Sequence, residues 1–524
     1  MARFCALVTA TTLNADGYQI QWRDVADDQR ATQQELEKAM LVEPPSFEDK
    51  APPVWHMHQL DAANNTWCVP RHWAEANIGS ARQTNFGVID ERPQMGASFI
   101  GVPREHQKRA CEWLRDQLRH GMNTPLLSRV NLYTGWGKTF FAMFAGHLLR
   151  TRMLIISHKN VLLEQYAGEV EKFFEPNSIK IGVLNGGRKK CDPDDESLDI
   201  VLATVQSIVK RPRALRNFGL VIIDEVHHYG SRTFSTVAYK ANAPIMIGLT
   251  ADKERSDGLD YVIDAHFGPV QLEEDPQVLV GCAVDVHVFQ CVIVPRVKEK
   301  AYKDEVGWME KMNALCASEE RNMMISNAVR HFYAQDDHAL DRHMLMLCKN
   351  KEQVDFIHAD LLKTPPTGTV AEDIVQWTGD RKNRKMDHAL ALKAKIIVAT
   401  YGMLGEGVSL DILDTLVICS QNKMNMNQAF GRILRQRFDH PYTVLDFDDT
   451  QFFPGMFRHR LKQYKERMPG SHFQVHRWHT EPGDVRSTFI RSNPSTAPNN
   501  AVPLHHNLTV VPQKRKLFSL ARST

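Results

Sequence analysis

Short, unbroken apolar runs separated by longer helical patterns fill the chain between about residues 100 and 450, and they constrain its fold more than any other feature. Met153–Ile156, Ile200–Ala203, Leu220–Ile223, Ile245–Leu249, His343–Leu347, Lys395–Ala399, Leu416–Cys419 and Thr443–Leu445 each read as a strand. Hydrophobicity that continues along a strand, rather than alternating, is what burial on both faces requires. Helical stretches such as Val161–Phe174 and Ser318–Tyr333 lie between the runs. This is the βαβ rhythm of parallel α/β domains.

The strands fall into two groups, separated by Leu272–Ala317, where the periodicity weakens. A chain of 524 residues is also too long for one ordinary core. The expected division is an accessory region over 1–99, a first α/β lobe over 100–285, a linker over 286–320, a second lobe over 321–470 and a tail over 471–524. The tail is rich in Pro, Asn, Ser, Thr and His and is expected to be flexible. No internal repeat is evident.

Net charge is only +2, so bulk charge argues neither for nor against a nucleic-acid partner, and any basic surface must be local. No apolar run approaches the roughly 20 residues a bilayer span needs, so no membrane partner is expected. The start, Met1 to Ala10, is too weak for a secretory signal, and an intracellular protein is expected. Nine cysteines are scattered without a CxxC pair, so neither a zinc module nor a disulfide framework is written here.

Three strings carry chemistry. Asn131-Leu-Tyr-Thr-Gly-Trp-Gly-Lys-Thr139 is a loop of the phosphate-binding kind. Gly135 and Gly137 let backbone N–H groups approach phosphate oxygens, and the helix that follows offers its N-terminus. Lys138 would reach the β- and γ-phosphates of ATP, and Thr139 would hold Mg²⁺. Leu132 stands where such loops usually begin with glycine.

Leu220-Val-Ile-Ile-Asp-Glu-Val-His-His228 ends a buried strand on two adjacent carboxylates, where parallel sheets bind ligands. Asp224 would join the Mg²⁺ shell, and Glu225 would orient or deprotonate an attacking water. In the second group, Gln428-Ala-Phe-Gly-Arg-Ile-Leu-Arg435 sets Arg432 and Arg435 three apart, hence on one helix face. An arginine aimed at a γ-phosphate supplies a factor of roughly 10³–10⁵ in rate. A solvated basic face is the plain alternative.

In this order, the strings resemble those of a superfamily 2 helicase of the DExH kind, over roughly Val102 to Met468. The resemblance implies two tandem RecA-like domains, parallel sheets flanked by helices, with ATP and Mg²⁺ bound between them. It also implies that Arg104 and Gln107 lie in the adenine-reading segment, Gln107 as the reader. Thr134, Gly135, Trp136, Gly137, Lys138 and Thr139 would form the phosphate loop. His227, Thr250 and Ala251 would couple hydrolysis to the grip on a strand. Gly405, Glu406 and Gln428 would contact the nucleotide from the second lobe. The stretch Asp252-Lys-Glu-Arg-Ser-Asp-Gly258 resembles a segment of the xeroderma pigmentosum B-like, phage branch-migration and large-DNA-virus transcript-release helicases. Asp252 and Lys253 depart from that group's usual Thr and Pro. Phe457–Tyr464 resembles its closing helix.

Proteins of this family hold the nucleic-acid backbone across both lobes, and such contacts position a strand without reading its sequence. The candidates are His158, Lys159, Thr204, Gln206 and Thr400, with Lys210 and Arg211 either joining them or forming a solvated turn. Single-stranded or forked DNA is the expected partner. A duplex translocase without strand separation, an RNA-directed enzyme and a scaffold without hydrolysis share much of this reading. The short flanks suit a large DNA virus or phage.

Overall fold

The computed structural model describes residues 8–22, 34–44, 53–61, 66–121, 124–133, 135–185, 191–211, 213–251, 255, 257–274, 284–291, 293, 307–378, 390, 393–404, 412–420, 438–450, 452–453, 455–467, 471–477 and 490–491. The first strands, β1 (Val8–Asn14), β2 (Gly17–Trp22), β5 (Gln59–Asp61), β6 (Thr66–Val69) and β7 (Gln83–Asn85), form a five-stranded sheet in the order β5-β6-β2-β1-β7. A small hairpin, β3 (Leu41–Val42) with β4 (Trp55–His56), stands beside it.

Among the described residues, the core of this N-terminal unit is shared with the domain that follows. Tyr18, Ile20, Trp67 and Val69 pack in one cluster with Leu259, Val262 and Ala265 of the next domain. Buried Arg71 donates to the carbonyls of Ala243 (2.9 Å) and Pro244 (3.3 Å), and the Tyr239 hydroxyl donates to that of Met57 (2.6 Å). Such bonds spare buried carbonyls the cost of lost hydration.

The second sheet holds β8 (Leu126–Leu132), β9 (Met153–Ser157), β10 (Ile181–Leu184), β11 (Ile200–Thr204), β12 (Leu220–Asp224), β13 (Ile245–Thr250) and β14 (Val270–Glu274). Their order is β10-β11-β9-β12-β13-β8-β14, parallel throughout. Helices Lys138–Leu149 and Asn160–Phe173 follow β8 and β9 as crossovers. Strands β9, β11, β12 and β13 are buried at every residue, as their unbroken apolar runs require.

The third sheet holds β15 (Val284–Gln290), β16 (Met344–Cys348), β17 (Ile374–Trp377), β18 (Ile396–Thr400), β19 (Thr415–Ile418), β20 (Tyr442–Asp448), β21 (His472–Arg477) and β22 (Ile490–Arg491). The order is β17-β18-β16-β19-β20-β15-β21-β22, parallel except for the terminal β22. Two parallel sheets flanked by helices, in tandem, give the RecA-like α/β architecture.

Two expectations on the second lobe's limits give way. Residues 286–320 are not merely a linker: β15 lies inside the third sheet, and Trp308–Ala317 is a helix packed on Glu319–Gln335 and Lys351–Lys363. The lobe also does not stop at 470, because β21 pairs with β15 from Asp285 to Gln290. Both strands alternate polar and apolar residues, so the search for unbroken runs passed over them. Apart from β22, the rest of the tail lies outside the described residues.

Candidate functional site

Strands β8, β9, β11, β12 and β13 all run the same way, so the residues following them meet along one edge of the second sheet. The loop after β8 turns on Gly135 (φ +90°) and Gly137 (φ +105°), left-handed conformations that glycine adopts at no steric cost. Glycine is needed at 137 for a second reason: a Cβ there would stand 2.5 Å from Gln107 Nε2.

Gln107, 3 % exposed, braces this loop. Its Nε2 donates to the Trp136 carbonyl (2.8 Å), and its Oε1 accepts from the Arg104 N–H (2.9 Å). The Trp136 ring is buried in the domain core, edge-on to Phe141, so this residue offers the loop its backbone and not its ring. Arg104 is exposed. Thr134 lies outside the described residues.

Lys138 begins the helix after the loop, and its ammonium pairs with Glu225. Glu225 follows β12 in a left-handed conformation (φ +51°), which aims its carboxylate back at the loop. Its second oxygen lies 3.3 Å from His227 Nδ1, and that nitrogen lies 3.0 Å from Thr250 Oγ1. Lys138, Glu225, His227 and Thr250 therefore form one chain of polar contacts across β8, β12 and β13. The Arg255 guanidinium donates to the His227 carbonyl and pairs with Asp257, tying the segment after β13 to the same turn. Ala251 is buried at the end of β13, and 252–254 lie outside the described residues.

The two carboxylates are driven apart electrostatically. Burial raises the Asp224 carboxyl to about 6, against the pull of Lys138. Burial also pushes Glu225 upward, but Lys138 and His227 outweigh it and hold Glu225 below the ordinary carboxylate range. Tyr166 is buried beside Asp224 and Glu225, and that burial pushes its hydroxyl well up. The sequence reading did not single out Tyr166. Thr139 and Asp224 offer hard oxygen donors, which suit Mg²⁺ better than a soft metal. Among the described residues no group of three or more His, Cys, Asp or Glu side chains is arranged to hold a metal by itself.

Beside this cluster, a cavity of about 690 Å³ opens at the C-terminal ends of β9, β10 and β11. Its lining includes His158, Asn160, Asn185, Asp192, Thr204, Gln206, Ser207, Lys210 and Arg211. The structure thus brings His158, Thr204 and Gln206 together with Lys210 and Arg211, while Lys159 follows His158 at the rim. Thr204 caps the short helix Val205–Val209: its hydroxyl accepts from the Ser207 N–H (3.3 Å) and donates to the Ser207 hydroxyl (2.8 Å). Thr400 ends β18, on the third sheet. Gly405, Glu406, Gln428, Arg432 and Arg435 lie outside the described residues.

The family model for the res subunit of type III restriction enzymes matches residues 100–255. A protein of Acanthamoeba polyphaga mimivirus that carries an ATP-dependent RNA helicase name is 27 % identical over 69 % of this chain and 67 % of its own length. Helicase-named proteins of Invertebrate iridescent virus 6 (24 %, over 64 % of this chain and 76 % of theirs) and Escherichia phage T5 (26 %, over 58 % and 64 %) are similar too. The chain is thus similar to helicase-named proteins of viruses and a phage. It spans about two thirds to three quarters of the length of these relatives. A fragment of a type I restriction-enzyme HsdR subunit from Vibrio vulnificus is similar to this chain at 19 % identity and a TM-score of 0.48, over 74 % of this chain and 72 % of that one. Among its described residues no helix is long and apolar enough to cross a membrane. Its described cysteines Cys111, Cys191, Cys291, Cys316, Cys348 and Cys419 are free thiols.

Proposed function

We propose that the chain is an ATP-driven DNA helicase or translocase that hydrolyses ATP at the C-terminal edge of its second sheet. The observation that carries this reading is the contact of Lys138, in the glycine-turned loop, with Glu225, beside buried Asp224. Backbone N–H groups of the loop and the N-terminus of Lys138–Leu149 would take the phosphates. Lys138 would exchange Glu225 for phosphate oxygens. Losing its ammonium partner lets the Glu225 carboxylate rise toward the range of a working base, so that it can orient and deprotonate water. Thr139 and Asp224 would hold Mg²⁺, whose chemistry is to neutralise phosphate charge. The resemblance assigns Arg432 and Arg435 to the γ-phosphate. His158, Lys159, Thr204 and Gln206 would grip the strand backbone at the cavity, with Thr400 doing so from the third sheet.

A second reading, an RNA-directed motor, is favoured by the RNA-helicase names of the mimivirus and African swine fever virus relatives. One experiment separates them. ATP turnover is measured without nucleic acid, with single-stranded DNA, with forked or duplex DNA and with RNA, using Lys138→Ala as the blank. Strong stimulation by DNA and little by RNA supports the first reading; stimulation by RNA alone replaces it with the second. Absence of turnover under every condition overturns both.

A further inference from the structure

Between the cavity and Glu225 stand three histidine rings. His158, at the end of β9, lines the cavity. Its ring centroid is 4.3 Å from that of His228, which is 4.2 Å from that of His227. His227 Nδ1 in turn lies between Glu225 Oε2 (3.3 Å) and Thr250 Oγ1 (3.0 Å). These ring separations are at or below the short end of the usual range for packed aromatic groups, so the row has no slack. Burial pushes His158 down to about 4 and His228 to about 3, which keeps both rings neutral at pH 7 and lets them pack closely. His158 Nδ1 is buried with no hydrogen-bond partner, so that nitrogen does not pin the ring. A phosphate or sugar hydroxyl entering the cavity offers the ring a partner that it gains by turning. In a close-packed interior a turned ring must be accommodated by its neighbours.

We propose that His158 and His228 are positioning residues that report occupancy of the cavity to Glu225 by ring-to-ring packing through His227. The inference rests on the reading of the cavity as a strand-binding site. A strand that turns His158 displaces His228, and His227 then shifts its hold on Glu225, easing Glu225 out of its pairing with Lys138. Packing, and not proton transfer, carries the signal, so the middle ring can lose its nitrogens but not its volume.

The test compares the full-length wild-type chain with His228→Ala and His228→Phe. Each is checked for an unchanged melting temperature and assayed for ATP turnover with and without saturating oligodeoxythymidine or oligouridine, whichever activates the wild type more. Strand affinity is measured separately by fluorescence anisotropy. In His228→Ala, stimulation is expected to fall about fivefold or more, with strand affinity and the rate without nucleic acid within about twofold of wild type. His228→Phe is expected to keep the stimulation. Wild-type stimulation in the alanine variant overturns the proposal, as does a phenylalanine variant as defective as alanine. A wild type that hydrolyses ATP and that neither strand stimulates is a different failure, because it removes the strand-binding reading underneath.

Discussion

Lys138 meets Glu225 through a single ammonium on a flexible stem, with the two side chains 15 % and 19 % exposed. At the corresponding edge of the third sheet, Arg321 meets Asp449 through two parallel bonds (2.8 and 2.7 Å) and gives a third to the Cys419 carbonyl, with side chains 0 % and 1 % exposed. Arg460 does the same for Asp446 (2.9 and 2.8 Å), whose carboxylate also accepts from the Tyr464 hydroxyl (2.7 Å). A planar guanidinium locked into a buried fork holds two elements permanently, whereas a lysine at a half-open edge can change partners. The second lobe thus uses its ion pairs as fixings, and the first keeps one that is able to change partners.

The largest expected effect cuts the releasable pair. Glu225→Gln is expected to lower ATP turnover by about 10²–10⁴-fold while leaving ATP binding in place. Stability should change by less than about 1 kcal/mol, because the partner ammonium can still reach solvent. Single-turnover kinetics and a melting curve on the same preparation check this. Full turnover in Glu225→Gln would remove the water-activating role from that residue.

Cutting a fixing should do the reverse. Arg321→Ala leaves Asp449 as an uncompensated buried charge and is expected to cost about 3–5 kcal/mol in denaturant unfolding. Replacing both partners with apolar residues, Arg321→Met with Asp449→Leu, should recover much of that loss. If Lys138→Ala destabilises the chain as much as Arg321→Ala, the contrast between the lobes collapses.

The same contrast governs how far the molecule could be read before its structure was known. Strands buried on both faces announce themselves: β9, β11, β12, β13 and β16 are unbroken apolar runs and were all legible. Strand β8 was not, since Ser128, Arg129 and Asn131 interrupt it; Arg129 is buried only because Asp260 and Asp264 neutralise it from the helix Asp260–Phe267. Edge strand β10 of the first lobe mixes residue types, and β15 and β21 alternate them, so no unbroken apolar run marks either end of the second lobe. The chemistry-bearing strings were legible because phosphate and water impose residue type and spacing locally. Tyr166 beside Asp224, and His158 against His228, were not, because sheet register brings them together from distant parts of the chain.

A pH series sharpens the comparison by probing the one soft seam in the rigid lobe. Where β15 meets β21, His287 Nδ1 lies 3.0 Å from His476 Nε2, and His476 stacks on Phe289. Burial pushes His287 down to about 3, helped by His476 and Arg342 and opposed by Asp336, and pushes His476 down to about 4. Both values lie below the unfolded value near 6.5, so the folded state binds fewer protons. Stability from the pair is therefore full above about pH 6.5 and is lost as pH falls toward 3, by on the order of 2 kcal/mol for each ring at pH 5. His476→Phe preserves an aromatic stack and removes one titrating ring, so its acid-unfolding curve should be shallower than that of the wild type between pH 6.5 and 4. An unchanged slope would mean the seam does not open with acid.

The smallest expected effect returns to the adaptable lobe. Gln107 bonds to the loop's backbone on one side and to the Arg104 N–H on the other, so it holds the phosphate loop as well as standing where the resemblance expects an adenine reader. The two roles make different predictions for Gln107→Ala. Loss of the brace takes from the Trp136 carbonyl the shorter of its two contacts, leaving His106 Nε2 at 3.3 Å, a cost of about 1–2 kcal/mol, and should raise KM for ATP and GTP alike by roughly 5–30-fold. Loss of base reading should raise KM for ATP alone and erase its advantage over GTP. The geometry favours a common rise with a smaller change in the ATP-to-GTP ratio. A ratio that collapses while KM for GTP stays constant would make Gln107 a reader first, and the loop would then need another brace.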